Sequence, residues 1–185
     1  MTRGKLIVVS GPSGVGKSAV IDRLLLDAHF ARAVTATTRP PRTGERDGVD
    51  YDFLARDDFL ARVAVGGFLE HAEVYGRLYG TPRAHVEAIL ASGRHCILNI
   101  DVQGAASLRA AGVEALFVFL VPPSLSELER RLRTRGLDSA DAVARRLSAV
   151  DREMAQAERF DLRIVNLDLE RTARKLALAV GVALP

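Results

Sequence analysis

The residues with the clearest chemical potential form a glycine-rich segment near the N-terminus, Gly11-Pro12-Ser13-Gly14-Val15-Gly16-Lys17-Ser18. This segment matches the phosphate-loop pattern G-x-x-x-x-G-K-[ST] in full. Its glycines allow successive backbone N–H groups to point at phosphate oxygens, and the positive end of a following helix dipole adds to the attraction. In such a loop Lys17 reaches the β- and γ-phosphates and the Ser18 hydroxyl ligates magnesium. The segment therefore predicts a site for a nucleoside triphosphate with Mg²⁺.

An overlapping pattern leaves a second interpretation open. Residues 14–19 also fit the looser dinucleotide pattern G-x-G-x-x-[G/A]. That pattern needs an acidic residue at the end of the second strand for the ribose, and residues 35–39 contain none. Arg39 suits a 2′-phosphate, so this segment alone does not exclude a nicotinamide enzyme. The Gly-Lys-Ser triplet is better explained by a nucleoside triphosphate.

Strands and helices are predicted to alternate around the loop. The apolar run Leu6–Ser10 is typical of a buried parallel strand, and the spacing of apolar residues from Lys17 to Ala28 is typical of a helix. Thr81 is predicted to cap a helix that Pro82 opens. Further strands are predicted at 33–37, 51–54, 68–74, 96–100, 116–121 and 162–166, and further helices at 57–66, 103–111, 124–134, 140–158 and 168–180. This order favours an α/β fold whose parallel sheet is covered on both faces.

The composition of the 185-residue chain excludes several classes of protein. Hydrophobic residues make up 48% and charged residues 26%, which are ordinary globular values. Lysine occurs only at positions 5, 17 and 175, so arginine supplies the rest of the 26 cations behind the net charge of +3. Aromatics at 5% and the absence of Trp argue against a stacking platform for nucleic acid. The single cysteine, Cys96, excludes an internal disulfide and is expected in the core. No apolar run approaches the ~20 residues of a membrane span, so a cytoplasmic protein without membrane partners is expected.

Six segments outside the phosphate loop carry a second set of polar residues, at 37–45, 48–51, 69–70, 79–81, 100–104 and 121–124. With them the sequence from residue 35 onward resembles the guanylate kinase family, and the resemblance covers nearly the whole chain. It implies a P-loop NTPase three-layer fold with a parallel central sheet, an inserted small mixed α/β GMP-binding subdomain and a helical lid. The corresponding core is 1–34, 82–130 and 159–185, the GMP-binding subdomain is 35–81, and the lid is 131–158. The implied reaction moves the γ-phosphoryl group of ATP to GMP, or to dGMP, with magnesium.

The resemblance also implies residues for the acceptor nucleotide. The acceptor phosphate is expected to be bound by Arg39, Arg42, Tyr51 and Tyr79. The base is expected to be contacted by Thr35, Glu70, Thr81 and Asp101. A carboxylate at the guanine edge accepts hydrogen bonds from both N1–H and N2–H, and adenine lacks these donors, so Glu70 would select guanine. Each of these residues also has an interpretation that needs no ligand. Thr81 could serve only as a helix cap, Tyr51 could pack half-buried, and Glu70 could be a solvated strand residue. Arg39 and Arg42 could be ordinary loop cations.

The remaining implied residues concern ATP and the lid. Arg135 and Arg146 match family positions that meet the ATP phosphates, and Asn166 matches a position near the adenine. Arg131 belongs to the same lid and is also expected to bind ATP. The groups expected to be catalytic are Lys17, Arg39, Arg135 and Arg146. Two departures stand out. Asn99 replaces an acid of the family that would help to hold the magnesium shell indirectly, and Leu137-Asp138 replaces the usual threonine and glutamate of the lid. Two alternatives remain: a non-catalytic protein-binding module of the same fold, and a small-molecule kinase with another acceptor.

Overall fold

The computed structural model describes residues 2–74, 76–134 and 148–184. In this part of the chain the strands are β1 Leu6–Ser10, β2 Phe30–Arg32, β3 Thr35–Thr37, β4 Tyr51–Phe53, β5 Phe68–Val74, β6 Arg77–Pro82, β7 His95–Asn99, β8 Leu116–Val121 and β9 Leu162–Val165. The helices are α1 Lys17–Leu24, α2 Arg56–Ala64, α3 Arg83–Ala91, α4 Val102–Ala110, α5 Leu125–Thr134, α6 at 148–154 and α7 Leu169–Ala179, with a 3₁₀ turn at Ala157–Arg159.

The larger sheet is parallel throughout, with the strand order β2-β7-β1-β8-β9. Its central strand β1 is buried along its whole length, because helices cover both faces of the sheet. Ile7 and Val9 belong to the apolar cluster that includes residues of α1 and α7. Leu6 and Val8 belong to the opposite cluster, which includes residues of α3 and α4. A strand buried on both faces must be a continuous apolar run, and the predicted α/β class is confirmed.

The second sheet is small and mixed, with the order β4-β3-β6-β5. Strand β3 runs parallel to β4 and antiparallel to β6. The sheet has its own apolar cluster, in which the rings of Phe59 and Phe68 stack with centroids 4.4 Å apart. This unit carries the polar segments at 37–45 and 79–81, so it holds them as one body beside the parallel sheet.

The predicted strand at 33–37 is correct for Thr35–Thr37 and wrong for Ala33 and Val34, since the chain there changes from one sheet to the other. Phe30–Arg32 pairs with β7 in the parallel sheet, and Thr35–Thr37 pairs with β4 and β6 in the mixed sheet. Ala33 and Val34 connect the two strands. Their small apolar side chains continue the strand-like pattern of the sequence, so the pattern does not reveal the change of partner.

Two predicted helix features also differ from the structure. Thr81 lies inside β6, and helix α3 begins at Arg83 with Pro82 at its N-cap and no side-chain cap. The Thr81 hydroxyl donates instead to Glu70, which leaves it unavailable to α3. Of the long helix predicted at 140–158, residues 148–154 are helical and a 3₁₀ turn follows, while residues 140–147 lie outside the described residues. The described helices include none that is both long and apolar enough to cross a membrane.

Candidate functional site

The glycine-rich loop leaves the carboxyl end of β1 and curves into the N-terminus of α1. Gly11 and Gly16 adopt φ angles of 136° and 101°, which side chains disfavour. A Cβ atom at Gly11 would lie 2.4 Å from the Leu120 carbonyl oxygen. Between these glycines Val15 is fully buried in the core. The positive φ angles and the buried Val15 therefore fix the curve of the loop at the carboxyl end of the parallel sheet.

Lys17 lies folded over this curve. Its Nζ donates hydrogen bonds to the carbonyl oxygens of Gly11 at 2.5 Å and Pro12 at 3.0 Å. Both acceptors belong to the loop itself, so the ammonium group lies against the loop at the N-terminus of α1. This arrangement brings together the elements that a phosphate group requires.

Two side chains from distant elements hold the middle of the loop. The Asn166 amide, at the end of β9, donates from Nδ2 to the Val15 carbonyl oxygen at 2.8 Å. Arg131 on α5 donates to the same oxygen at 3.3 Å and to the Asn166 carbonyl at 3.4 Å. Glu127 in turn accepts from Arg131 at 2.7 Å. The hydrogen bonds from Arg130 and Arg131 lower the pKa of Glu127 to about 2, so this carboxylate stays ionised and keeps Arg131 against the loop.

A second group of basic and aromatic side chains lies on the mixed sheet. The guanidinium carbon of Arg39 lies 5.5 Å from the centroid of the Tyr51 ring, a distance at which cations and aromatic rings attract. The Tyr51 and Tyr79 rings meet edge to face with centroids 6.4 Å apart. Glu45 accepts a hydrogen bond from Arg39, and this contact is the main cause that raises the pKa of the guanidinium, with a smaller contribution from Tyr79. Arg42 lies on the exposed loop beside them.

Glu70 and Thr81 form the polar pair of this unit. The buried Thr81 hydroxyl donates to Oε1 of Glu70 at 2.6 Å. Burial raises the pKa of Glu70 above its ordinary value; the Thr81 hydrogen bond partly opposes this rise, and the negative charge of Asp101 adds to it. Thr81 thus holds one oxygen of a carboxylate that is poorly hydrated, so the carboxylate favours a ligand that donates hydrogen bonds.

Asp101 connects the mixed sheet with the parallel sheet. It follows β7 and caps α4, since its carboxylate accepts from the Gly104 backbone N–H at 2.8 Å. Its charge acts on Glu70 and also on Glu153 of α6. Asp101 and Glu153 both line an open cavity of about 440 Å³ between α4 and α6. The two carboxylates of this cavity thus interact with both polar groups, Asp101 with Glu70 and Glu153 with Lys17.

Sequence reasoning missed Glu153. Its Oε2 is buried without a hydrogen-bond partner among the described residues. Burial raises the pKa of this carboxyl, and the positive charge of Lys17 and the Ser13 backbone N–H oppose that rise. A lone glutamate on an amphipathic helix resembles a solvated residue in the sequence. The signal that identifies it is its place in the helix. Glu153 lies between Val150 and Met154, and both of these side chains pack on the core.

The other predicted site residues have separate positions. Thr35 lies at the start of β3 and is the register partner of Tyr51. Ser18 is exposed in the first turn of α1, and Asn99 is exposed at the end of β7, beside β1. Arg135 and Arg146 lie outside the described residues, as does the Leu137-Asp138 departure. Cys96 is a core residue as expected, and burial raises its pKa to about 11.

The chain is similar to known guanylate kinases in sequence and in structure. The family model described as guanylate kinase matches residues 3–181. A guanylate kinase of Thermosynechococcus vestitus is 48% identical over 179 residues, covering 96% of this chain and 93% of the relative. One of Rubrobacter xylanophilus is 49% identical over 178 residues, with 95% and 93% covered. The crystal structure of guanylate kinase from Anaplasma phagocytophilum superposes with a TM-score of 0.72 at 33% identity, covering 97% of this chain and 85% of that chain.

Proposed function

The chain belongs to the guanylate kinase family, and from this premise we propose that it transfers the γ-phosphoryl group of ATP to GMP, giving ADP and GDP. One observation carries the choice of acceptor: the Glu70 carboxylate is held by the buried Thr81 hydroxyl at 2.6 Å. Its free acceptor positions suit the N1–H and N2–H donors of guanine. Adenine presents neither donor at these positions, so it would leave the carboxylate dehydrated and unpaired.

The acceptor phosphate is assigned to the basic and aromatic group of the mixed sheet. Arg39 and Arg42 neutralise the dianion, and Arg39 presents paired N–H donors that match phosphate oxygens. The Tyr51 and Tyr79 hydroxyls donate to the same phosphate. Thr35 and Asp101 complete the base site together with the Glu70–Thr81 pair. The proximity of Arg39, Tyr51 and Tyr79 supports this assignment.

ATP is assigned to the glycine-rich loop, where residues 11–18 surround the phosphates. Lys17 leaves the carbonyl oxygens of Gly11 and Pro12 to reach the β- and γ-phosphates. Arg131 and Asn166 are assigned to the ATP site as well, and their hydrogen bonds to the Val15 carbonyl oxygen of the loop support this assignment. Arg135 and Arg146, in the proposed lid at 131–158, are assigned to the transferring phosphoryl group.

The transfer requires positioning and charge neutralisation and no strong general base. The second pKa of a phosphate monoester is about 6, so GMP arrives as a nucleophilic dianion. One of its phosphate oxygens attacks the γ-phosphorus in line, the bond from that phosphorus to the β,γ-bridging oxygen breaks, and ADP leaves with the electron pair. Lys17, Arg39, Arg135 and Arg146 stabilise the charge that spreads over the transferring oxygens.

The residues at the end of the parallel sheet fit Mg²⁺. The exposed Ser18 hydroxyl and the Asn99 amide lie at the ends of neighbouring elements, and the Ser10 hydroxyl beside them is buried without a partner among the described residues. Oxygen donors of this kind suit Mg²⁺, which keeps several waters and takes further ligands from phosphates. Ser18 would bind the ion and Asn99 would orient one of its waters. Held there, the ion would supply positive charge that offsets the charge developing on the phosphate oxygens.

The proposal is tested by measuring ADP release from ATP and Mg²⁺ with GMP, dGMP, AMP, UMP and CMP offered separately. Turnover is expected with GMP, to a lesser extent with dGMP, and at least ~100-fold slower with AMP at equal concentration. Turnover with another nucleotide in preference to GMP would identify a kinase with a different acceptor. Absence of turnover with all five would favour a binding module. We place the reaction in the cytoplasm, which stays a prediction from the sequence.

A further inference from the structure

Glu45 contacts both arginines of the proposed acceptor-phosphate site. One carboxylate oxygen, Oε1, accepts from Arg39 Nη2 at 2.9 Å, and the other, Oε2, accepts from the Arg42 backbone N–H at 2.7 Å. A turn closed by the Glu45 N–H on the Arg42 carbonyl at 3.0 Å brings the carboxylate back onto the loop. Glu45 therefore acts on the side chain of one arginine and on the backbone of the other.

The remaining contacts of Arg39 fix its guanidinium further. Nη1 donates to the Pro40 carbonyl at 2.7 Å, and the Tyr51 and Phe53 rings lie 5.5 and 5.8 Å from the guanidinium carbon. The side chains of Arg39 and Glu45 are only 14% and 20% exposed. Exposed ion pairs on a surface are mobile and contribute little, whereas this one is shielded by the rings and the loop. The direction of the Arg39 fork is therefore set before any ligand binds.

We propose that Glu45 is a positioning residue for the acceptor phosphate, an inference that rests on the proposed function. Its carboxylate holds the Arg39 guanidinium and the Arg42 backbone so that the unused side-chain donors of both arginines face the phosphate of GMP. An arginine that is held in its binding geometry loses less conformational entropy when the ligand arrives. The same carboxylate is an anion beside an anionic ligand, and the two effects oppose each other. Because both oxygens of Glu45 are engaged by donors in the loop, positioning outweighs repulsion.

The test compares Glu45→Ala and Glu45→Gln with the parent protein. Both variants should raise the KM for GMP, about 10- to 100-fold for Glu45→Ala and less for Glu45→Gln, which keeps one acceptor oxygen. The KM for ATP should change less than about twofold. The matched control is Glu73→Gln in the same unit, where Arg56 and Glu73 pair at 3.5 Å with side chains 54% and 52% exposed. This control should behave as the parent protein.

Calorimetric binding of guanosine and GMP separates positioning from a structural defect. Guanosine has no phosphate, so its affinity should be the same in the parent protein and in both Glu45 variants, while the affinity for GMP falls. Equal losses for guanosine and GMP would show a general structural role, and unchanged or tighter GMP binding would show that repulsion dominates; each result overturns the inference. If the proposed function itself is wrong, the parent protein fails to phosphorylate GMP. If only the inference is wrong, the parent protein and the variants phosphorylate GMP alike.

Discussion

Replacing Glu70 with Gln removes one charge and keeps the shape of the side chain. The Thr81 hydroxyl can still donate to the remaining oxygen, as it does at 2.6 Å to the carboxylate. The amide nitrogen, however, places a donor where guanine also presents a donor. The loss of a charge-assisted hydrogen bond costs about 1.5–3 kcal/mol and the unpaired buried donor about 1–3 kcal/mol. Together they predict GMP binding that is about 10²- to 10⁴-fold weaker, at about 1.4 kcal/mol per tenfold change.

The same substitution should leave the fold intact. Burial raises the pKa of Glu70, which means that the folded protein binds this proton more readily than the unfolded chain does. The ionised carboxylate therefore destabilises the folded state at neutral pH, and this effect disappears as the pH falls through the raised pKa. Glu70→Gln removes it at every pH, so its melting temperature at neutral pH should be no lower than that of the parent protein.

The pH dependence of guanosine binding gives a further measurement on Glu70. Guanosine carries no phosphate, so no phosphate titration overlaps with that of the carboxyl. Only the ionised carboxylate accepts from both guanine donors, so affinity should fall as the pH falls through the raised pKa of Glu70. In Glu70→Gln this dependence should be absent. The control is Glu73→Gln on the same strand, whose partner Arg56 lies 3.5 Å away on the surface. Full GMP affinity in Glu70→Gln would refute the assignment of the base site.

Three further predictions concern the phosphate loop. In Gly16→Ala the Cβ atom would lie 2.6 Å from Asn166 Nδ2 at a φ of 101°. Left-handed strain and the lost hydrogen bond from Asn166 to Val15 cost about 2–3 kcal/mol, so calorimetry should show a melting temperature about 5–10 °C lower. The control Gly181→Ala, which has φ +88° and open space around it, should show a smaller decrease. Glu153→Gln removes an anion beside Lys17, so ADP titrations should give severalfold tighter binding. The control is Glu158→Gln, where the side chain is 86% exposed, and it should bind ADP as the parent protein does. Asn99→Asp adds a charge near the proposed metal, and it should lower the Mg²⁺ concentration for half-maximal activity; superimposable magnesium titrations would contradict this role of Asn99.

Local sequence was sufficient where a single segment determines its own conformation. The run Leu6–Ser10 is apolar at every position but the last, and it forms the buried centre of the parallel sheet. The adjoining loop needs glycines at positive φ, and it has them at Gly11 and Gly16. The helix predicted at 124–134 is likewise observed as α5, and Ser124 caps it, since the Glu127 backbone N–H donates to the Ser124 hydroxyl at 3.1 Å. In each case the contacts that decide the structure lie within a few residues of chain.

Prediction failed where the deciding partner is remote. A hydroxyl before a proline is typical of a helix cap, yet Thr81 donates to a carboxylate on the neighbouring strand. The pairing of β5 with β6 brings Glu70 within its reach, and helix propensity contains no information about that pairing. Asn166 was placed near the adenine by resemblance, and its role there stays a prediction. Its bond to Val15 depends on β9 ending beside the loop, which only the completed sheet establishes.

Acidic partners of the site cations form the largest group that the sequence left unrecognised. Glu45 accepts from Arg39, and Glu127 accepts from Arg131. The charge of Glu153 acts on the third cation, Lys17. Clustered cations repel one another when no phosphate is bound, and nearby carboxylates reduce this repulsion while they restrict the side chains. At the proposed sites, phosphate binding would replace some of these contacts, and the affinity for phosphate would reflect the difference between two sets of ion pairs. Substituting these acids should therefore change nucleotide affinity in opposite directions. The affinity should fall where the acid positions its cation, as at Glu45, and it should rise where the acid repels the phosphate, as at Glu153.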